Sequence, residues 1–151
     1  MKVREWMSPD PVTVTPRTTV SVARQLLSTY GFRHLPVVDG DRLVGIISDR
    51  DVRLDDAQVR GALRRGVLGE VLEDDRPTEA VMSSSPHVIG PDEMVEAAAR
   101  LMLSRRISGL PVVDADHRLC GIITTTDCLL ASLAEQAQVT EWMLDQLQPS
   151  P

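Results

Sequence analysis

An internal repeat is the feature that most restricts how this chain can fold. The run LPVVD at residues 35–39 returns unchanged at residues 110–114, an offset of 75 residues. One extra residue near Arg118 then changes the offset to 76. Over residues 7–41 and 43–53, 18 of 46 aligned positions are identical. Agreement of this extent between two parts of one chain indicates duplication, and therefore two copies of one folding unit.

Both copies show the same order of hydropathy patterns. A short β-branched stretch comes first, at residues 12–14 and 87–89. Apolar residues at three- and four-residue spacing then predict a helix, which is followed by two apolar strands around a turn and by a second helix. In the first copy the helix covers residues 20–30, the two strands cover residues 35–38 and 43–47, and the second helix begins after Ser48. In the second copy the helix begins near Met94, the strands begin at Leu110 and Leu119, and the second helix begins after Thr124. Each copy is predicted to be a β-α-β-β-α unit.

The apolar strands Val37-Val38 and Ile46-Ile47 do not alternate with polar residues. Strands of this kind are usually covered on both faces. A unit of about 50 residues buries little surface alone, so we expect the two copies to pack on each other. The predicted fold class is mixed α+β, built from tandem β-α-β-β-α repeats.

The residues outside the repeats divide the chain further. Residues 54–78 mix charges of both signs, which indicates the end of a helix and a solvated connector rather than a third domain. We therefore expect residues 1–78 to hold the first unit with its connector and residues 79–151 to hold the second, together forming one module. An amphipathic run from Asp127 to Leu147, followed by Pro149 and Pro151, predicts a long terminal helix.

Composition argues against several classes of function. The chain has 16 Lys and Arg against 22 Asp and Glu, a net charge of −6, which disfavours nonspecific binding to nucleic acid or anionic membranes. It shows no apolar run long enough for a membrane span and no apolar segment typical of a secretory signal, so the cytoplasm is the expected compartment. Cys120 and Cys128 are expected to be small buried apolar residues. Neither a nucleophile motif nor a metal-ligand spacing is present, so we do not expect an enzyme or a metal site.

Ser48 and Thr124 each follow an apolar strand and precede an aspartate by three residues, at Asp51 and Asp127. This spacing suits a helix N-cap whose acidic partner stabilises the first turn, and such a cap needs no ligand. The same arrangement could also hold a phosphate on free N–H groups and a ribose on the carboxylate. Its presence at two equivalent places favours the ligand-binding interpretation over helix capping alone.

The repeated pattern resembles the paired motifs of the CBS domain family, named after cystathionine β-synthase, whose pairs are called Bateman modules. The resemblance covers roughly residues 7–60 and 82–136 and rests on the LPVVD runs and the two Ser/Thr-x-x-Asp motifs. It implies a pseudo-two-fold module with two clefts for AMP, ADP, ATP (with accompanying Mg²⁺) or S-adenosylmethionine. In such modules the aspartate holds the ribose, and each cleft is completed by residues of the opposite motif.

Carried over by position, the resemblance assigns a set of residues to each cleft. The Asp51 cleft would combine Ile46, Ser48, Arg50 and Asp51 with Gly90, Ile107, Ser108, Gly109 and Pro111. The Asp127 cleft would combine Ile122, Thr124, Thr126 and Asp127 with Thr15, Phe32, Arg33, His34 and Pro36.

These assignments imply unequal clefts. Arg33 and His34 would neutralise phosphates in the Asp127 cleft, unless Arg33 is only a solvated surface residue. In the Asp51 cleft Arg50 is the nearest cation, with Arg105 and Arg106 as more distant helpers. We therefore expect the Asp127 cleft to bind a phosphate-bearing nucleotide more tightly.

The function expected from the resemblance is a regulatory sensor of adenosyl ligands that signals to a partner protein. Related modules pair into disc-like dimers, and an apolar stripe at Leu129, Leu130 and Leu133 suits a homodimer contact, although core packing within one subunit explains these leucines equally well. Trp142 is expected to anchor the terminal helix against the body or a second subunit. The alternative function is a ligand-free interaction module in which the Ser/Thr-x-x-Asp motifs are only helix caps.

Overall fold

The computed structural model describes residues 1–146 and contains six α-helices, two short 3-10 helices (Val3–Glu5 and Thr78–Ala80) and six strands in this range. The helices are α1 (Val20–Tyr30), α2 (Asp49–Val52), α3 (Asp56–Arg65), α4 (Leu68–Leu72), α5 (Val95–Arg105) and α6 (Thr125–Gln146). The strands are β1 (Ser8–Pro9), β2 (His34–Asp39), β3 (Arg42–Ser48), β4 (Ser83–Ser84), β5 (Gly109–Val113) and β6 (Leu119–Thr124). The expected mixed α+β class is confirmed.

Two antiparallel three-stranded sheets, in the orders β1-β6-β5 and β4-β3-β2, repeat one another with pseudo-two-fold symmetry. The edge strand of each sheet comes from the other repeat. Ser8 pairs with Ile122 of the second repeat, and Ser83 pairs with Ile46 of the first. We call residues 7–12 and 82–87, which carry these edge strands, the first and second arms. The arms interlock the two repeats, as the expected packing of the copies requires.

The two central hairpins form where the sequence predicts them, and their turns meet. Gly40 closes the first turn at φ +67°, where a residue without a Cβ is favoured. The second turn is one residue longer and places His117 at φ +63°. The amide of Leu43 donates to the His117 carbonyl at 3.2 Å, and the amide of Leu119 donates to the Asp41 carbonyl at 3.0 Å. These two bonds join the two halves at the hairpin ends.

Each repeat has its own apolar core, and each core is completed by the opposite repeat. Leu35 and Ile47 are fully buried in the first core, and Leu110 and Ile123 are fully buried in the second. Val3, from the start of the chain, is fully buried in the second core. Such mutual completion lets two small units bury enough surface to be stable together.

The first strand predicted for each copy is not formed as an extended strand, which corrects that expectation. Val14 makes only a parallel bridge to Val37, and Ile89 makes the equivalent bridge to Val112. One cause is local, because the Thr15 amide donates to the Thr18 hydroxyl at 3.0 Å instead of continuing the ladder. Proline on either side also removes donors that a strand would need.

The connector is more structured than the sequence interpretation supposed. The helix that begins after Ser48 ends at Val52, and residues 54–78 contain the separate helices α3 and α4. Asp55 caps α3 by accepting from the Gln58 amide at 2.6 Å, and Gly66 ends it at φ +68°. The long terminal helix is confirmed as α6, whereas its predicted end at Leu147, Pro149 and Pro151 lies outside the described residues. Within residues 1–146, no helix combines the length and hydropathy needed to cross a membrane.

Candidate functional site

Two cavities lie where the two repeats meet. The first, of about 510 Å³, is the Asp51 cleft. Its walls are His34, Ile46, Ser48, Asp49, Arg50, Asp51, Ser83, Ser84, Ser85, Pro86, His87, Arg106, Ile107, Ser108, Gly109 and Pro111. The second, of about 450 Å³, is the Asp127 cleft. Its walls are Ser8, Pro9, Asp10, Pro11, Val12, Gly31, Phe32, Arg33, His34, Ser108, Ile122, Thr124, Thr125 and Thr126. Both volumes are in the range of small-molecule sites.

Each cleft draws its walls from both repeats. The strand that carries the Ser/Thr-x-x-Asp motif forms one side, and the loop before the opposite LPVVD run forms another. The arms supply a third side that the sequence did not predict, with residues 8–12 in one cleft and 83–87 in the other. The repeated Met-Ser and Pro positions, at an offset of 75, were the available sequence signal for these arm residues.

The arms can cross the sheets only because glycine lies beneath them. A Cβ at Gly121 would stand 2.7 Å from both the Met7 sulfur and the Ser8 carbonyl oxygen. A Cβ at Gly45 would stand 2.5 Å from the Met82 sulfur and 3.0 Å from the Ser83 carbonyl oxygen. The two equivalent glycines therefore hold open the space in which the cleft-lining arms lie.

The Ser/Thr-x-x-Asp motifs form reciprocal caps in both repeats. The Oδ2 atom of Asp51 accepts from the Ser48 amide at 2.7 Å and from the Ser48 hydroxyl at 3.1 Å. The Oδ2 atom of Asp127 accepts from the Thr124 amide at 2.8 Å and from the Thr124 hydroxyl at 2.9 Å. Both bonds of each pair end on one oxygen, so Oδ1 of each aspartate is the oxygen suited to accept from a ligand.

At the helix starts next to these caps, two of the first three amides are already paired within the protein. The Asp49 amide donates to the Arg33 carbonyl at 2.9 Å, and the Thr125 amide donates to the Ser108 carbonyl at 3.1 Å. The amides of Asp51 and Asp127 donate to the cap hydroxyls at 3.4 Å. The paired amides are therefore not available to an anion, which leaves the side chains and the amides of Arg50 and Thr126.

Most residues assigned from the sequence do line the clefts. In the Asp51 cleft they are Ile46, Ser48, Arg50, Asp51, Ile107, Ser108, Gly109 and Pro111, and in the Asp127 cleft they are Phe32, Arg33, His34, Ile122, Thr124 and Thr126.

Four assigned residues, Gly90, Thr15, Pro36 and Asp127, are not among the described lining residues. The Gly90 amide donates to Glu93, the Thr15 amide and hydroxyl bond to Thr18, and Pro36 is fully buried. Asp127 is half-buried behind Thr124, whereas Asp51 is exposed and borders its cleft. The two aspartates are therefore placed differently despite their equivalent caps.

The charges around the clefts also differ from the expected pattern. Arg50 and Arg106 line the Asp51 cleft, and Arg33 lines the Asp127 cleft. His34 lines both clefts rather than the Asp127 cleft alone. Burial lowers the pKa of His34, and Arg33 adds to this effect while Asp49 and Asp51 oppose it. A neutral His34 supplies no cation, so the structure removes the basis for expecting tighter phosphate binding in the Asp127 cleft.

Several cleft residues adopt the left-handed backbone region. Asp10 and Ser85, at equivalent positions of the two arms, have φ of 46° and 51°. Arg106 has φ of 55° at the end of α5, where the first repeat has Gly31 at φ 66°. Non-glycine residues are uncommon in this region, and strained residues of this kind cluster at functional sites.

The cysteines do not form part of the clefts. Cys120 and Cys128 are half-buried against the second core, rather than fully buried as expected. Burial raises the pKa of both thiols, which favours their protonated form at neutral pH. In residues 1–146, no group of three or more His, Cys, Asp or Glu residues is arranged to hold a metal ion.

An exposed apolar surface lies on α6, away from the clefts. Leu129, Leu130 and Leu133 are 66%, 51% and 62% exposed, so they are not core residues of a single subunit. Trp142 is 64% exposed, and it does not anchor α6 against the body of the same chain. The expectation that these four side chains pack within one subunit is therefore wrong. Their contact with a second subunit stays a prediction.

Comparison with other proteins agrees with the geometry. The family model described as the CBS domain matches residues 3–55 and 78–134. The chain is 36% identical over 134 residues to a CBS domain-containing protein of Dictyostelium discoideum, covering 84% of this chain and 88% of that protein. It is also 36% identical over 130 residues to inosine-5'-monophosphate dehydrogenase of Methanocaldococcus jannaschii, covering 85% of this chain. The match spans only 23% of that dehydrogenase.

Solved structures show the same architecture. The crystal structure of CBSX2 in complex with AMP matches with a TM-score of 0.72 and 31% identity, covering 89% of this chain and 98% of that one. The CBS domain pair of MJ0100, in complex with 5'-methylthioadenosine and S-adenosylmethionine, matches with a TM-score of 0.71 and 28% identity, covering 89% and 98%. With two motif matches, interlocked repeats and two equivalent clefts, this chain belongs to the CBS domain family and forms a tandem CBS pair.

Proposed function

We propose that this chain is a regulatory module that binds adenosyl ligands, such as AMP, ADP, ATP or S-adenosylmethionine, in its two clefts. The observation that carries the proposal is a duplicated constellation, in which a hydroxyl and a carboxylate stand at a strand end beside a cavity built from both repeats. The AMP complex of CBSX2 and the ligand complex of the MJ0100 pair support the choice of ligand class.

The residues around each cleft suggest which protein groups would contact the ribose, the adenine and the phosphates of a ligand. The Oδ1 atom of Asp51 or Asp127 would accept from ribose hydroxyls, with Asp127 reaching its cleft past Thr124. Ile46 or Ile122 would contact one face of the adenine. Phosphates would lie near Arg50 and Arg106 in the Asp51 cleft, and near Arg33 in the Asp127 cleft.

Ligand binding between the repeats supplies a route to regulation. A ligand that contacts an arm and both sheets would favour one relative arrangement of the repeats, and a partner protein would detect the shifted population. The partner would be a separate protein, and the compartment we propose is the cytoplasm. We propose no catalytic activity for these clefts. Nucleic acid remains a disfavoured partner because the net charge is −6.

Thermal unfolding with added nucleotide tests the proposal. A ligand that binds only the folded state raises the free energy of unfolding by about 2.7 kcal/mol at a concentration one hundred times its Kd. We expect AMP or ATP to raise the Tm, and GMP at the same concentration to have little effect. An unchanged Tm with every adenosyl ligand would instead favour the ligand-free interaction module, for which the observed caps alone suffice.

We also propose that the exposed leucines of α6 form a homodimer contact. Replacing Leu133 with Glu would place a charge in that contact, and sedimentation velocity should then show a monomer. Leu63→Glu is the matched control, since Leu63 is similarly exposed (58%) but lies on α3. A wild-type chain that sediments as a monomer at high concentration would contradict the dimer.

A further inference from the structure

The two clefts share one wall at the pseudo-two-fold axis. His34 and Gly109 are equivalent residues of the two repeats, at an offset of 75. A Cβ at Gly109 would lie 3.0 Å from Nδ1 and 3.1 Å from Cε1 of His34. A side chain at position 109 would therefore crowd the imidazole of His34, which occupies the space between the two equivalent positions.

Ser108 completes this wall. Its hydroxyl lies 3.3 Å from Nε2 of His34, and these two residues alone appear among the described walls of both clefts. We call His34 and Ser108 the partition. A ligand that reaches the axis from either cleft would meet the same imidazole and the same hydroxyl.

We propose that the partition couples the two clefts, so that an anionic adenosyl ligand in one cleft weakens the binding of a second in the other. This inference rests on the proposed ligand class but concerns communication between the sites. Allosteric coupling of this kind typically changes affinity by about 5- to 150-fold, and we expect about tenfold here.

The physical reason is the limited number of hydrogen-bond donors in the partition itself. A neutral imidazole has one N–H donor and one acceptor nitrogen, and a serine hydroxyl has one O–H. Burial lowers the pKa of His34, which favours this neutral form. When a phosphate in one cleft takes the imidazole N–H, the second ligand meets the acceptor nitrogen, which repels an anion.

Isothermal titration with AMP can measure the coupling. Two single-cleft variants fill one cavity each, Ile46→Trp in the Asp51 cleft and Ile122→Trp in the Asp127 cleft, because both isoleucines are partly exposed wall residues. If the clefts were independent, the isotherm of the wild-type chain would equal the sum of the two single-cleft isotherms. We expect the second AMP to bind the wild-type chain about tenfold more weakly than that sum requires.

Replacing His34 with Ala should remove most of this coupling, so that the second AMP binds within about twofold of the affinity expected for independent clefts. The isotherm of His34→Ala is compared with those of single-cleft variants that carry the same replacement. His87→Ala is the matched control, since it removes an exposed imidazole from the Asp51 cleft only, and the coupling should persist. Additive isotherms in the wild-type chain, or coupling that survives in His34→Ala, would overturn the partition while leaving the ligand class intact. Absence of AMP binding would overturn both proposals.

Discussion

Asp51 and Ser48 cap each other in a geometry that occupies only one carboxylate oxygen. Oδ2 of Asp51 accepts from the Ser48 amide and hydroxyl, at 2.7 and 3.1 Å, and the Asp51 amide returns a bond of 3.4 Å to the hydroxyl. The same side chain borders a cavity of about 510 Å³. One residue can therefore stabilise the fold and bind a ligand at the same time, and mutation can test both roles.

Asp51→Asn should weaken both roles. Loss of the charged acceptor should lower the free energy of unfolding by about 0.5–2 kcal/mol. An amide NH₂ facing the cleft cannot accept from ribose, and hydrogen bonds to charged groups contribute about 1.5–3 kcal/mol, so AMP affinity in that cleft should fall at least about tenfold. Urea unfolding and calorimetric titration measure the two effects.

Asp55→Asn is the control for this prediction. Asp55 caps α3 through a bond of 2.6 Å from the Gln58 amide but lines neither described cleft. Its replacement should cost little stability, because asparagine caps a helix about as well as aspartate, and it should leave AMP binding unchanged. Unchanged AMP affinity in Asp51→Asn would show that the motif is only a helix cap.

Arg106→Gly should raise stability and reduce binding of phosphate-bearing ligands. Arg106 has φ of 55°, and the left-handed region costs a non-glycine residue about 1–2 kcal/mol, part of which glycine recovers. The same change removes a guanidinium from the wall of the Asp51 cleft. Urea unfolding should show a higher midpoint, and titration should show weaker ATP binding with adenosine binding nearly unchanged. A variant with full ATP affinity would exclude Arg106 from the site.

Gly121→Ala should displace the first arm and destabilise the chain. The new Cβ would meet the backbone carbonyl of Ser8 at 2.7 Å, which cannot move without shifting the strand, and overpacking of this kind costs about 1–3 kcal/mol. Gly45→Ala should cost less, because its nearest contact is the flexible Met82 side chain. Gly69→Ala, with open space around it, is the control, and it should not destabilise. Equal urea midpoints for Gly121→Ala and Gly69→Ala would contradict the arm geometry.

Stability should fall as the pH decreases below about 7, in part because of His34. Its pKa in the folded chain is lowered by burial, whereas histidine in an unfolded chain titrates near 6.5. Below that value the unfolded state binds more protons than the folded state, so the free energy of unfolding decreases. His34→Gln, which cannot take up this proton, should show a smaller decrease in urea unfolding between pH 7.5 and 5.5. Parallel pH profiles for the two proteins would contradict the assignment.

Local sequence signals predicted the repeat units well. The LPVVD runs, the turn at Gly40 and the caps at Ser48 and Thr124 depend on neighbouring residues, and the structure forms each of them. Helix α3 had comparable signals, an Asp55 cap and a terminal Gly66. The mixed charge of residues 54–78 obscures these signals, because it is also typical of a solvated connector.

Local signals could not predict how residues far apart in the sequence are arranged in space. Nothing in the spacing near Ser8 shows that it pairs with Ile122, 114 residues away, rather than with a strand of its own repeat. The difference between Asp51 and Asp127 depends on how far each side chain is covered by its surroundings. The shared position of His34 follows only when the two repeats are placed around one axis.

A crystal structure of the chain with saturating AMP would show whether the two aspartates hold a ribose. We predict one AMP in each cleft, with ribose hydroxyls bonded to the carboxylates of Asp51 and Asp127 and adenine against Ile46 and Ile122. Clefts that contain only solvent, or AMP bound away from both aspartates, would contradict ribose binding by these carboxylates.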